Sequence, residues 1–296
     1  MTWLGGAVYV LVIVLLVVGL VRARHRPQEQ PDQQPEEQEE SSPSVVRRWL
    51  VGGGVVLPVM LVAVVFVLTV VAMRASSLEP DDDTLVIEVV GHQWWWEIAY
   101  PGTGIVTANE IHLPVGRPVE LRLLSSDVIH SFWVPALGGK IDLLPDHVNT
   151  LVIRADMPGE YRGVCAEFCG LQHALMGMVA VAMPEEEFQS WLQGQAQPAV
   201  APDTDLTRRG DEVFTAAGCG DCHTIRGTEA GGDTGPDLTH LAARSTLAAA
   251  TMVNNPANLH DWVDDPALFK EGVEMPASQL TAADLEALVA YLESLQ

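Results

Sequence analysis

The sequence predicts a membrane protein of three parts: a two-helix transmembrane hairpin, an all-β domain and an all-α domain. Three observations lead there. Two long apolar runs occupy the first 73 residues. From residue 85 onward apolar residues alternate with a period of two, the spacing of half-buried strands. Beyond residue 203 the spacing turns helical, around Cys219-Gly-Asp-Cys222-His223. The boundaries set by these changes are 1–75 for the hairpin with its cytoplasmic loop, 76–194 for the β domain, 195–202 for a linker and 203–296 for the α domain. A chain of 296 residues has room for about two soluble domains of ~150 residues or less.

Of the apolar runs, Gly5 to Val21 reaches about 26 Å as a helix and Leu50 to Met73 about 36 Å, against a bilayer core of ~30 Å. Gly52, Gly53, Gly54 and Pro58 lie in the second, where such residues are tolerated. No small-residue cleavage site precedes the Arg22-Ala-Arg24-His25-Arg26 cluster, so the first run reads as an uncleaved anchor rather than a signal peptide. Arg22, Arg24 and Arg26, then Arg47 and Arg48, flank the connecting segment and place it in the cytoplasm of a bacterial plasma membrane protein. Its Gln-, Glu- and Pro-rich middle, Pro27 to Ser44, reads as a disordered loop. Both termini and everything after Arg74 then lie outside the cell.

The formal net charge of −23 is concentrated downstream: −1 over residues 1–73, −11 over 74–200 and −11 over 201–296. Such domains do not bind nucleic acid phosphates. They suit a basic partner, whose approach an acidic surface accelerates, or they simply stay soluble.

In the β domain, Leu85, Ile87 and Val89 form one alternating set, Val119, Leu121 and Leu123 a second, and Leu151 and Ile153 a third. Gly177 to Met183 reads as the last strand, and Pro184 to Leu192 as a short helix opened by proline and acids. Between the third set and that last strand stand Cys165, Cys169, His173 and Met176, at C-x3-C-x3-H-x2-M spacing. Soft thiolates and a thioether select copper, and imidazole suits it too. Two thiolates four residues apart can bridge two copper ions, with the imidazole capping one and the thioether the other. One further ligand is needed on each: the carbonyl oxygen of Glu167 and an upstream histidine, for which His130 is the choice. The alternatives are a Cys165–Cys169 disulfide or a mononuclear zinc site, although zinc has no use for methionine.

Downstream, C-x-x-C-H at Cys219, Cys222 and His223 is the pattern of covalent haem attachment, the thiols adding to the vinyl groups and His223 binding the iron. All four cysteines of the chain are thereby used, leaving none for a structural disulfide. Met275, before Pro276, is the candidate sixth iron ligand; Met252 competes, but lies in Ser245 to Asn254, which reads as a helix-like stretch. Leu206 to Ala217 also reads as helical, as does Thr281 to Leu295, with Thr281 as N-cap and a stripe of Leu285, Leu288, Val289 and Leu292. The Pro/Ala/Gln linker reads as extended and mobile.

The copper loop, together with His130 in Asp127-Val-Ile-His130-Ser-Phe-Trp133, resembles the copper A site of cytochrome c oxidase subunit 2, and Gly91-His-Gln-Trp94-Trp95-Trp96-Glu97 resembles the same family's aromatic stretch. Trp95 departs from the commoner tyrosine there. The order of spans, copper domain and haem domain resembles subunit 2 of a caa-type oxidase with a fused class I cytochrome c. The resemblance implies a cupredoxin-like Greek-key fold for the β domain, and ligands His130, Cys165, Glu167, Cys169, His173 and Met176 for the copper pair. It implies Trp94 as the surface residue through which electrons arrive, and a magnesium ion shared with subunit 1 through the Glu167 carboxylate. Pro236 resembles the family proline whose carbonyl holds the proximal histidine.

The implied activity is electron transfer from a donor, such as a cytochrome bc complex or a cytochrome c, through haem and copper to subunit 1. There oxygen is reduced to water with proton pumping, in company with further subunits. A copper A nitric oxide reductase subunit and a stand-alone membrane-tethered carrier are the other readings. Two features depart from the family: no carboxylate lies at the cytoplasmic start of the second span, and no lipobox cysteine lies near the N-terminus, so no lipid anchor is expected. His92, His112 and His147 read as structural histidines, satisfied by neighbours.

Overall fold

The computed structural model describes residues 2–24, 43–76 and 84–296, in two compact units, 1–76 and 77–296. The segment expected to form the cytoplasmic loop lies, apart from its last residues, outside the described residues, as does 77–83.

In the first unit, α1 spans Thr2–Arg24. A second helical stretch runs through α2 (Pro43–Val51), a π turn (Gly52–Val56) and α3 (Leu57–Ser76). The π turn has a local cause. Pro58 has no N–H to give and its ring clashes with the carbonyl four residues back, so the helix widens and Leu57 N–H bonds to Gly52 O instead. Arg47–Arg74 is 28 residues long and, with an 18-residue window of mean hydropathy 3.1, is long and apolar enough to cross a bilayer. In α1 the apolar stretch, Val8–Arg22, is shorter, so among the described residues one helix meets the length expected of each arm of the hairpin. Both helices expose apolar side chains all round, Leu15 by 61% and Phe66 by 66%, as lipid-facing helices do.

The second unit opens with ten strands: β1 (Leu85–His92), β2 (Trp95–Tyr100), β3 (Ile105–Ala108), β4 (Glu110–Pro114), β5 (Val119–Ser125), β6 (His130–Trp133), β7 (Ile141–Leu143), β8 (Asn149–Ile153), β9 (Gly159–Cys165) and β10 (Gly177–Met183). They make two five-stranded sheets, ordered β3-β2-β1-β5-β8 and β4-β10-β9-β6-β7. The period-two sets read from the sequence supply the inward faces: Ile87, Val89, Leu121 and Leu123 from one sheet meet Ile111 and Phe132 from the other, all fully buried. Each such side chain contributes roughly 1.5–3 kcal/mol on burial. α4 (Glu185–Gln195) follows β10 and closes the sandwich with Phe188.

The C-terminal domain is built on α5 (Asp205–Ala216), α6 (Pro256–Asp264) and α7 (Ala282–Glu293). Thr204 and Thr281 cap α5 and α7 through their side chains. The stripe read on α7 is buried, and packs with Val213 and Phe214 of α5. One stretch differs from its sequence reading. Residues 245–254 are not helical but form a hairpin of β11 (Thr246–Leu247) and β12 (Met252–Val253), so the domain is not wholly α. Its turn, Ala248, Ala249 and Ala250, has φ of +52°, +57° and +56°. The linker is also not free: Arg226 Nη2 donates to Gln195 O, Ala199 N donates to Arg226 O at 2.9 Å, and Gln197 O contacts His240 Nε2 at 3.0 Å.

Candidate metal centres

Strands β6 and β9 run antiparallel, with Phe132 opposite Cys165, which brings His130 beside the loop that follows β9. That loop folds back so that Cys165 N donates to Met176 O at 2.9 Å and Ala166 N to Ser131 O at 2.9 Å. Six donor groups converge as a result. Cys165 Sγ and Cys169 Sγ lie 3.8 Å apart, beyond the ~2 Å of a disulfide. His130 Nδ1 is 3.9 Å from Cys165 Sγ, and His173 Nδ1 is 3.7 Å from Cys169 Sγ. Met176 Sδ is 3.7 Å from Cys169 Sγ, and Glu167 O is 3.2 Å from Cys165 Sγ. Cys165, Cys169, His130 and Met176 are buried, while Glu167 is exposed at the rim. Two thiols, two imidazoles, a thioether and a carbonyl form a soft donor set that fits copper.

The surroundings fix the ligand atoms. His130 Nε2 bonds to Asp127 Oδ1 at 2.7 Å. Because a carboxylate only accepts, Nε2 carries the proton and Nδ1 faces the sulfurs with its lone pair. Burial opposes a charge on His130, but its bonds to Cys165 and Asp127 outweigh burial and raise its pKa. The two thiols share their protons unequally. Cys165 is pushed down because Cys169, then His130, stabilise its thiolate, and that contact holds the proton on Cys169. Gln93 Nε2 and Trp94 Nε1 both donate to Cys169 O, at 2.7 and 2.9 Å, and Gln93 N donates to Asp127 Oδ2 at 2.7 Å. Asp127 and Gln93 carry no role in the sequence reading; the only signal was the carboxylate three residues before His130.

The three tryptophans 94–96 separate: Trp95 and Trp96, successive positions of β2, point to opposite faces, and Trp94 lies in the turn before that strand. Trp96 is in the core, edge-on to Phe132; Trp95 stacks on His92 at 4.2 Å; Trp94 is half-buried over the copper loop. The reading of satisfied histidines holds only in part. His92 Nδ1 meets Ser126 Oγ at 2.9 Å, but His92 Nε2 and His112 Nδ1 are buried without hydrogen-bond partners.

In the α domain, Cys219–Asp221 is a 3-10 turn, and His223 N donates to Cys219 O at 3.1 Å. His223 Nδ1 donates to Pro236 O at 2.7 Å, which leaves Nε2 as the nitrogen available to an iron. Gly235 makes room for the ring: a Cβ there would lie 2.7 Å from His223 Cε1. Burial lowers the pKa of His223, favouring the neutral form that a metal needs. Met275 is half-buried against the core of this domain, as is Met252 on β12. Two thiols and a half-buried imidazole with one nitrogen committed to a carbonyl fit a covalently held haem.

Residues 103–183 match the family described as cytochrome c oxidase subunit II, periplasmic domain, and residues 207–296 match the cytochrome c family. The chain is 40% identical over 207 residues to cytochrome c oxidase subunit 2 of Alkalihalophilus pseudofirmus, over 70% of this chain and 60% of that protein. It is 32% identical over 212 residues to cytochrome c oxidase subunit 2 of Bacillus subtilis, over 68% of this chain and 59% of that protein. The chain thus spans about 60% of the length of these curated relatives. Among solved structures, the periplasmic domain of subunit II of cytochrome oxidase of Bradyrhizobium japonicum is 32% identical, covering 40% of this chain and 96% of that one at a TM-score of 0.38. The β sandwich is cupredoxin-like, its family implies copper A, and a cytochrome c domain implies haem c. The chain thus carries a region matching the subunit II periplasmic domain followed by one matching cytochrome c, and over these regions it is similar to cytochrome c oxidase subunit 2 proteins.

Proposed function

We propose that this chain is the electron-transfer subunit of a caa-type cytochrome c oxidase. Its copper A pair is held by His130, Cys165, Glu167, Cys169, His173 and Met176, and its haem c by Cys219, Cys222, His223 and Met275. The observation that carries the reading is the convergence of two imidazole nitrogens, a thioether and a carbonyl within 4 Å of one or other of two thiols that are themselves 3.8 Å apart. When bound, both groups supply one-electron redox chemistry.

The residues of the chain orient and dry the two sites. Asp127 fixes the tautomer of His130, and Gln93 and Trp94 pin the carbonyl of Cys169. Pro236 orients His223. Burial of Cys165, Cys169 and Met176 excludes water from the donor set, which tunes redox potential through the local dielectric.

The assembled enzyme would move electrons from a donor, such as a cytochrome bc complex or a cytochrome c, to oxygen. Oxygen would be reduced to water in subunit 1 with proton pumping. Exposed Phe168 and Leu171, 76% and 72% accessible, flank the copper loop beside Glu167 and suit an apolar seat against subunit 1. The exposed Glu167 carboxylate would share a magnesium ion with that subunit, a hard ligand for a hard cation. The hairpin at 1–75 would cross the plasma membrane twice, leaving both termini and both metal domains outside.

Purification from native membranes through a tag on this chain tests the reading. A larger haem-copper subunit should co-purify, and the complex should consume oxygen when given a reduced donor. Recovery of the chain without such a subunit, or turnover of nitric oxide in place of oxygen, would overturn it.

A further inference from the structure

Two of the buried charged side chains outside the metal centres stand out. Glu110 on β4 is 2% exposed, and Lys270, beyond α6, is 3% exposed. Burying a charge is unfavourable unless it is paired or fully hydrogen-bonded, so each needs an account. Both join the cupredoxin-like domain to the cytochrome c domain. Glu110 Oε1 accepts from Ser245 N and Oγ, both at 2.7 Å, and from Thr246 N and Oγ1 at 3.0 and 3.2 Å. The buried guanidinium of Arg244 also lies within electrostatic reach of Glu110. Lys270 Nζ donates to Trp94 O at 3.0 Å and to Ala248 O at 3.2 Å.

Between these anchors sits the left-handed turn Ala248–Ala250. L-residues avoid that conformation because Cβ crowds the following carbonyl, and it persists where surroundings over-determine it. Here two of the turn's three carbonyls are met from the other domain. Gly177 N donates to Ala249 O at 3.0 Å, Arg162 Nη2 to Ala250 O at 3.3 Å, and Thr251 Oγ1 to Leu175 O at 3.3 Å. The turn therefore rests on the backbone flanking Met176. On the far side, Gln172 Nε2 donates to Glu271 O at 2.7 Å, and a Cβ on Gly272 would lie 3.8 Å from the Trp94 ring.

We propose that Glu110 and Lys270 are positioning residues that lock the cytochrome c domain in one docked pose on the cupredoxin-like domain. In that pose the segment leading to Met275 is held against Trp94, and the partner meeting Trp94 is this chain's own second domain. A shifted pose would leave one buried charge without its partners, so the two charges select register as well as contact. The inference rests on the proposed function only for the purpose of the pose; the pose itself is a property of the polypeptide.

Hydrogen exchange of the full-length chain in detergent, read by mass spectrometry, tests it. In the unaltered chain, peptides holding the amides of Ser245, Thr246 and Gly177 should be protected. Glu110→Ala and Lys270→Met should each speed exchange there at least tenfold while leaving the interiors of β9, β10 and α7 unchanged. Lys270→Arg, which keeps a charged donor, should restore most of the protection. Open-chain exchange at those amides in the unaltered protein overturns the lock, even if the variants fail to fold. So does unchanged protection in both variants, or acceleration spread evenly through both domains. Copper and haem content, measured on the same samples, separates this result from failure of the functional reading, which lacks support if either metal is missing.

Discussion

His130 Nε2 lies 2.7 Å from Asp127 Oδ1, and the opposite ring nitrogen, Nδ1, is turned to Cys165 Sγ at 3.9 Å. One carboxylate thus sets which nitrogen a metal meets. Asp127 also accepts from Gln93 N, whose side chain holds Cys169 O, so the same residue braces both edges of the donor set. Asp127→Asn should weaken copper affinity by about 10–100-fold, the usual cost of losing such a partner. Competition with a copper chelator measures it, and unchanged affinity would show that Asp127 does not orient the ligand.

The two centres should respond independently to ligand loss. Cys165→Ser or Cys169→Ser should abolish the copper signals in visible and EPR spectra while the haem bands persist. Met275→Leu should lower the haem potential and spare the copper, because a thioether ligand raises that potential. Met252→Leu should leave it in place. Redox titration at the haem band distinguishes the two methionines.

Helices α5 and α7 cross at Gly210, where a Cβ would lie 2.1 Å from Ala287 O and 2.5 Å from Tyr291 Cβ. The obstacle is backbone and cannot rotate away. Gly210→Ala should destabilise the cytochrome c domain by roughly 1–3 kcal/mol. At ~4–8 °C per kcal/mol for a domain of this size, the melting temperature followed at the haem band should fall by several degrees. An unchanged melting temperature would mean that the helices do not cross this closely.

Much of the architecture was legible because it is local. Strand alternation around Ile87, Val89, Leu121 and Leu123 reports which face is buried, and the α7 stripe does the same with a helical period. The loop of Cys165, Cys169, His173 and Met176 could be read as one donor group because all four sit within twelve residues. What was misread depends on distant partners. Ala248–Ala250 has strong helix propensity, yet it is left-handed, with contacts from β9 and β10 on its carbonyls. The linker composition signals mobility, but Arg226 and His240 pin it. Glu110 and Lys270 carried no signal at all: each is a single charge, and Glu110 meets Ser245 across 135 residues of chain.

His112 offers a pH-dependent check on the cupredoxin-like domain. Stacked on Trp191 at 4.1 Å with Nδ1 unpartnered, its pKa is pushed down to about 4, by burial first and then by Arg244. The folded value lies below the ordinary 6.5, so the unfolded chain takes up the proton first. The stabilising contribution is full above pH ~6.5 and is lost as pH falls through about 4, up to roughly 3 kcal/mol. Urea unfolding at pH 7 and pH 4 should show that loss in the unaltered chain and much less of it in His112→Phe. Equal losses in both proteins would place the acid sensitivity elsewhere.

The most direct measurement is the copper-to-iron ratio of the full-length chain, produced in copper-replete cells, freed of any other haem- or copper-bearing subunit, and quantified by elemental analysis. Two coppers for each iron are expected if the six donors around Cys165 and Cys169 hold a metal pair while Cys219, Cys222 and His223 hold one haem. A ratio of one or less, or zinc in place of copper, would contradict a paired copper centre in this chain.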